Sequence, residues 1–166
     1  VDSSRLDAAH QSLLQAAAAA AEIETQPVQE PLSWLLSHII LHEETMAGAA
    51  RQIAEGLPAV VDTAASLCAD LIGRMVAEHR AGELIAQLAV RAAELVSLVE
   101  AIPEECASVA VRARLVSRRG TVVFDGLLGW RDLLGVRTEE HLPHYTRYVA
   151  RLSAPTGANA SCRHPF

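Results

Sequence analysis

Six consecutive alanines, Ala16–Ala21, lie in a stretch whose larger apolar residues are Leu6, Leu13, Leu14 and Ile23. Alanine is the strongest helix former, and its short side chain lets a neighbouring helix approach closely. It is depleted in strands. The rest of the chain is built the same way. Apolar residues make up 51 % of the sequence but aromatics only 4 %. The core must therefore be assembled from Ala, Leu, Val and Ile, which favours close-packed helices over a β-sandwich. At 166 residues the chain fits one domain, with a core that needs no disulfide staples.

Period and punctuation place the elements. A first helix is expected over 4–24, with Ser4 as its cap. Two prolines in Thr25–Pro31 break the chain. A second helix over 32–54 is ended by Gly56 and Pro58, and its apolar beginning should be buried. A third is expected over 60–79 and a fourth over 82–101, separated by Arg80-Ala81-Gly82. Residues 107–125 are β-branched and partly alternating, with Arg119-Gly120 at a turn position, and predict a short β-hairpin. Trp130–Leu134 reads as one helical turn. A last helix runs from Thr138, whose hydroxyl could cap it, to Leu152, with Pro143 in its opening turns. The expected fold is all-α: an antiparallel four-helix bundle with a small β-hairpin before the last core helix. It occupies residues 1–152, and a poorly packed tail follows over 153–166.

Composition also excludes. The net charge is −6, so no nucleic-acid partner is expected. The longest apolar runs fall far short of a bilayer span, so no membrane association is expected. No signal peptide is evident, and the predicted location is cytoplasmic. All fourteen cationic residues are arginine, which leaves no lysine for Schiff-base chemistry. Cys68, Cys106 and Cys162 form no metal-ribbon spacing and read as reduced thiols. No nucleophile elbow, GxGxxG or phosphate-binding loop is present.

The chemistry concentrates in histidines. His38/His42 and His141/His144 are two pairs about a hundred residues apart, each at a spacing that shares one helix face. Glu140 is likewise i,i+4 from His144. Facing helices could bring two or three imidazoles and a carboxylate to one divalent ion, with Zn²⁺, Ni²⁺ or Fe²⁺ preferred by imidazole. His10, His79 and His164 stand alone and read as solvated.

Trp34 followed four residues later by His38, a long helical middle, and the late segment EEHLPHYTRYVARL together resemble the DinB-like superfamily, including its thiol-dependent S-transferase and maleylpyruvate isomerase-like branches. The resemblance covers about residues 5–152 and rests on two short motifs. It implies a four-helix bundle with a metal between helices, His38 as first ligand, and an HxxxH or ExxxH on the last helix as the other two. In the first register His141 matches but Tyr145 stands at the partner position; in the second, Glu140 and His144 match. His144 could also replace the missing ligand, giving His38, His141 and His144, with His42 a neighbour outside the ligand set. The implied activity is a metal-activated low-molecular-weight thiolate acting on a small-molecule substrate, as transferase or isomerase. Tyr145 would orient a leaving group, and Arg118 or Arg119 would hold a carboxylate of the thiol. The competing expectations are a non-catalytic binding or stress-associated bundle with an incomplete metal site, and a structural homodimer formed through the alanine face.

Overall fold

A computed structural model of the chain describes residues 3–23 and 26–154. Cys162, His164 and the expected tail beyond Ala154 lie outside the described residues. The fold is mostly helical and carries a small sheet. Helix α1 spans Ser4–Ala21, α2 Gln26–Ala54, α3 Ala69–Glu78 and α4 Ala81–Ala101. The chain ends in α5 (Trp130–Val136), a π turn (Arg137–His141) and α6 (Leu142–Leu152). Helix α2 packs on α4, and α1 packs on α2, α4 and α6. Ala17 and Ala20 are fully buried, so part of the alanine face is used within the chain.

Several boundaries differ from expectation for physical reasons. The α1 cap position is Ser3 rather than Ser4, and the Ser3 hydroxyl donates to Glu100 instead of capping. Helix α2 begins at Gln26, so the prolines do not interrupt it. Pro31 lies inside the helix, in its second turn, at the cost of one intrahelical hydrogen bond. At the other end Gly56, at φ 69°, closes α2. Its N–H donates to the Ile53 carbonyl and the Leu57 N–H to the Gln52 carbonyl, a Schellman arrangement. Helix α4 starts where the Glu83 carboxylate accepts the Arg80 N–H at 2.7 Å.

The expected helix over 60–79 is the main error in the elements. Val60–Asp62 forms strand β1 and Ala65–Leu67 a 3₁₀ turn, so only Ala69–Glu78 is helical there. Strand β2 (Ala110–Val116) and strand β3 (Val122–Gly129) make the expected hairpin, with Gly120 at φ 77° in its turn. The sheet order is β1-β2-β3, with β1 parallel to β2 and β2 antiparallel to β3. The hairpin is therefore two-thirds of a three-stranded sheet. A three-residue strand paired across about fifty residues leaves no local period to read.

The last helix does not start afresh at Thr138: α5, the π turn and α6 follow one another without a break from Trp130 to Leu152. Thr138 does not cap it; it lies in the π turn and its hydroxyl donates to the Gly135 carbonyl. Pro143 explains the irregularity. It can neither donate to the carbonyl four residues back nor approach it closely, and the wide turn just upstream absorbs the misfit. Among the described residues no helix is long and apolar enough to cross a membrane.

Candidate functional site

The sheet leans over the middle of α2 and opens a cleft of about 1120 Å³ between α2, the hairpin and the last helix. Its floor is polar. His38, on α2 and buried, has its Nδ1 2.7 Å from the Ser66 carbonyl in the 3₁₀ turn after β1. A carbonyl only accepts, so Nδ1–H donates and Nε2 keeps its lone pair. The Tyr145 hydroxyl on α6 donates to that lone pair at 2.9 Å. Trp34, one turn earlier on α2, stacks on the His38 ring with centroids 5.5 Å apart. Strand β1 and its following turn thus fix the tautomer of His38.

The other imidazoles converge on the same place. His42 and His141 have ring centroids 4.9 Å apart, and each lies near His38, at 6.3 and 6.2 Å respectively. Tyr145 stands 4.7 Å from His141. The structure places His141 and Tyr145 at the cleft floor together. Glu140 is exposed at the cleft margin, and His144 is half-buried at its edge. The extra residue of the π turn sets this rotation, since one residue turns a helix face by about 100°. Arg118 and Arg119, at the hairpin turn, line the mouth, and the Arg118 guanidinium sits 4.1 Å above the Trp34 ring.

Behind the floor lies a buried ionic network that the sequence reading missed. His10 is not solvated: it is 1 % exposed and donates from Nε2 to the Glu43 carboxylate at 2.9 Å. Arg137 is 2 % exposed, donating to the same carboxylate and to Nδ1 of His141. His79 is partly exposed. Helical period could have flagged these positions. His10 falls on the stripe of Leu6, Leu13 and Ala17, and Glu43 on that of Leu36, Ile39 and Ile40.

Burial dominates the electrostatics. Desolvation, aided by the Arg137 and Arg118 charges, lowers His38 to about 4 against the opposing Ser66 contact. His42 and His141 are pushed well below the usual imidazole range by burial and by Arg137. Burial raises Glu43, but Arg137 and His10 more than offset it and hold the carboxyl low. Burial raises the Tyr145 hydroxyl, with Arg137 and Arg118 opposing. The floor is therefore a set of neutral rings and one neutral phenol.

This has a consequence for stability. Below pH 6.5 the unfolded chain takes up protons that the native imidazoles refuse, so stability is greatest above that value and falls on acidification. His38 alone contributes a loss of about 3 kcal/mol as pH drops from 6.5 towards 4. Urea midpoints are expected to be flat near pH 7–8 and to fall steeply between pH 6.5 and 4. Midpoints that stay constant down to pH 5 would refute buried, neutral imidazoles.

The donor set can be tested against the divalent ion implied by the resemblance. His38 carries its lone pair on Nε2, where it accepts from Tyr145, with its other nitrogen bonded to a carbonyl as in ligating histidines. His141 does not. A guanidinium only donates, so Nδ1 of His141 accepts from Arg137 and the proton sits on Nε2. Tyr145 at the remaining position is a phenol held protonated, and Arg137 adds a fixed positive charge. Among the described residues no three His, Cys, Asp or Glu side chains are arranged to hold one ion. The residues as arranged do not fit a three-ligand metal centre. No family model, curated protein or solved structure matches the chain.

Proposed function

We propose that this protein is a DinB-like four-helix bundle with an incomplete metal site, and that its cleft binds a small organic molecule without a metal. The observation that carries this is the cleft itself. A cavity of about 1120 Å³, walled by Leu35, Met46, Leu115 and Val116, has a small cluster of convergent polar groups at its floor, with the hydrogen-bonded pair His38 and Tyr145 among them. Apolar walls with few fixed polar groups are the usual make-up of a small-molecule site. The pair would orient a ligand: Tyr145 can donate one hydrogen bond or accept another, while Ser66 holds His38 in place. The neutral naphthylamine dye N-phenyl-1-naphthylamine is expected to bind with a fluorescence rise. Val116→Trp, which fills the cleft from the sheet side, should abolish it. A rise unchanged in that variant, or none in the native chain, would remove the reading.

A second reading, a metal-dependent thiol S-transferase or isomerase, is favoured by the His38 tautomer and by three imidazole rings within 4.9–6.3 Å of one another. It requires about one zinc per chain after mild purification, lost in His38→Ala, and consumption of a low-molecular-weight thiol with a generic electrophile.

A further inference from the structure

The cleft mouth carries an excess of positive charge. Five arginines line the cleft against two glutamates, Glu139 and Glu140. Arg137 is committed to buried Glu43, and Glu139 is bonded to Arg5 at 3.2 Å. Arg118, Arg119, Arg147 and Arg151 remain at the mouth, and among the described residues no ion pair involves them. This cationic ring is local, since the chain as a whole is at −6.

Two elements supply it. Arg118 and Arg119 are adjacent in the β2–β3 turn. Arg147 and Arg151 are i,i+4 on α6, hence on one face. Like charges at that spacing destabilise a helix, so α6 carries a repulsion that a bound anion would relieve. Their combined field also holds the half-buried His144 below its usual range, after burial, so that imidazole adds no charge to the mouth near neutral pH. Arg118 is already oriented. Stacked on Trp34 at 4.1 Å, its planar group keeps its N–H edge for another partner.

We propose that the cleft selects small organic oxyanions, an anionic group on an apolar body, with Arg118, Arg119, Arg147 and Arg151 gripping the charge and the cleft walls the body. The proposal rests on the small-molecule reading above and names its ligand class. Guanidinium groups match carboxylate, sulfonate and phosphate oxygens through paired N–H donors. The body would lie towards His38 and Tyr145.

A matched pair of dyes tests both steps. N-phenyl-1-naphthylamine and 8-anilinonaphthalene-1-sulfonate share one aromatic body and differ by the sulfonate. Titrated into the whole chain at low salt, the sulfonate is expected to bind about tenfold tighter. That preference should shrink with added salt. Arg118→Gln/Arg119→Gln and Arg147→Gln/Arg151→Gln should each remove most of the preference, bringing the ratio of the two dyes' affinities close to one. Arg112→Gln/Arg131→Gln, at exposed positions that do not line the cleft, should leave both dyes unaffected. Equal affinities for the two dyes would overturn anion selection yet leave the cleft reading standing. Equal losses in the control variant would show diffuse surface attraction and overturn it too. Binding of neither dye would instead remove the small-molecule reading on which the proposal rests.

Discussion

Glu43→Leu is expected to lower stability by about 3–5 kcal/mol, the largest loss for any single change in the buried network. Glu43 is fully buried, and its carboxylate receives Arg137 from the π turn and His10 from α1. Three segments therefore meet at one charge. Leucine removes that charge but leaves the guanidinium at 2 % exposure with only His141 as a partner. An uncompensated buried cation costs far more than the pair contributes, because the desolvation of both ions largely cancels their attraction while both are present. The melting temperature should fall by roughly 10–15 °C for a chain of this length. The control is the double change Glu43→Leu/Arg137→Met, which removes both charges and should recover most of the loss despite leaving His10 without its acceptor. Salt should alter neither result much, since the network is buried. A loss below about 1 kcal/mol in Glu43→Leu would mean that water reaches Arg137 and that the network is not closed.

The same network shows what the sequence made legible. The helical core followed from an apolar majority with few aromatics, and α2, α4 and the hairpin lie near their expected positions. His38, His141, Tyr145, Arg118 and Arg119 do meet at one cleft, with Glu140 and His144 at its margin. What stayed hidden was nonlocal or irregular. Strand β1 is defined by a parallel partner in β2, and three residues have no period of their own. The π turn adds a residue that conceals the continuity of α5 and α6, and with it the choice between His141/Tyr145 and Glu140/His144. His10 reads as solvated because it stands alone in the sequence, and Glu43 and Arg137 belong to no motif that singles them out. Their places on apolar stripes carried the contrary signal, and each is tolerated inside only because the other two are there.

That interdependence leads to the second large effect. Arg137→Gln combined with Tyr145→His is expected to create tight binding of one zinc per chain, whereas either change alone should give little. Tyr145→His supplies an imidazole at the position that completes HxxxH with His141 on the last helix, within reach of His38 Nε2. By itself it leaves His141 in the wrong tautomer, because Arg137 still donates to Nδ1 and keeps the proton on Nε2. Glutamine at 137 reverses this. Its carbonyl can accept from Nδ1–H of His141, freeing the Nε2 lone pair, while its amide N–H can still donate to Glu43. His10 remains on that carboxylate. The substitution also removes the fixed positive charge that would oppose a divalent ion. At a zinc concentration a hundredfold above the dissociation constant, the double variant should gain about 2.7 kcal/mol, seen as a thermal shift of roughly 5–10 °C. His38→Ala in the double variant should cancel it. A native chain that already retains one zinc, lost in His38→Ala, would instead favour the metal-dependent reading. A double variant that binds none would show that α2 and the last helix hold these rings too far from one centre, and that His38 owes its tautomer to packing alone.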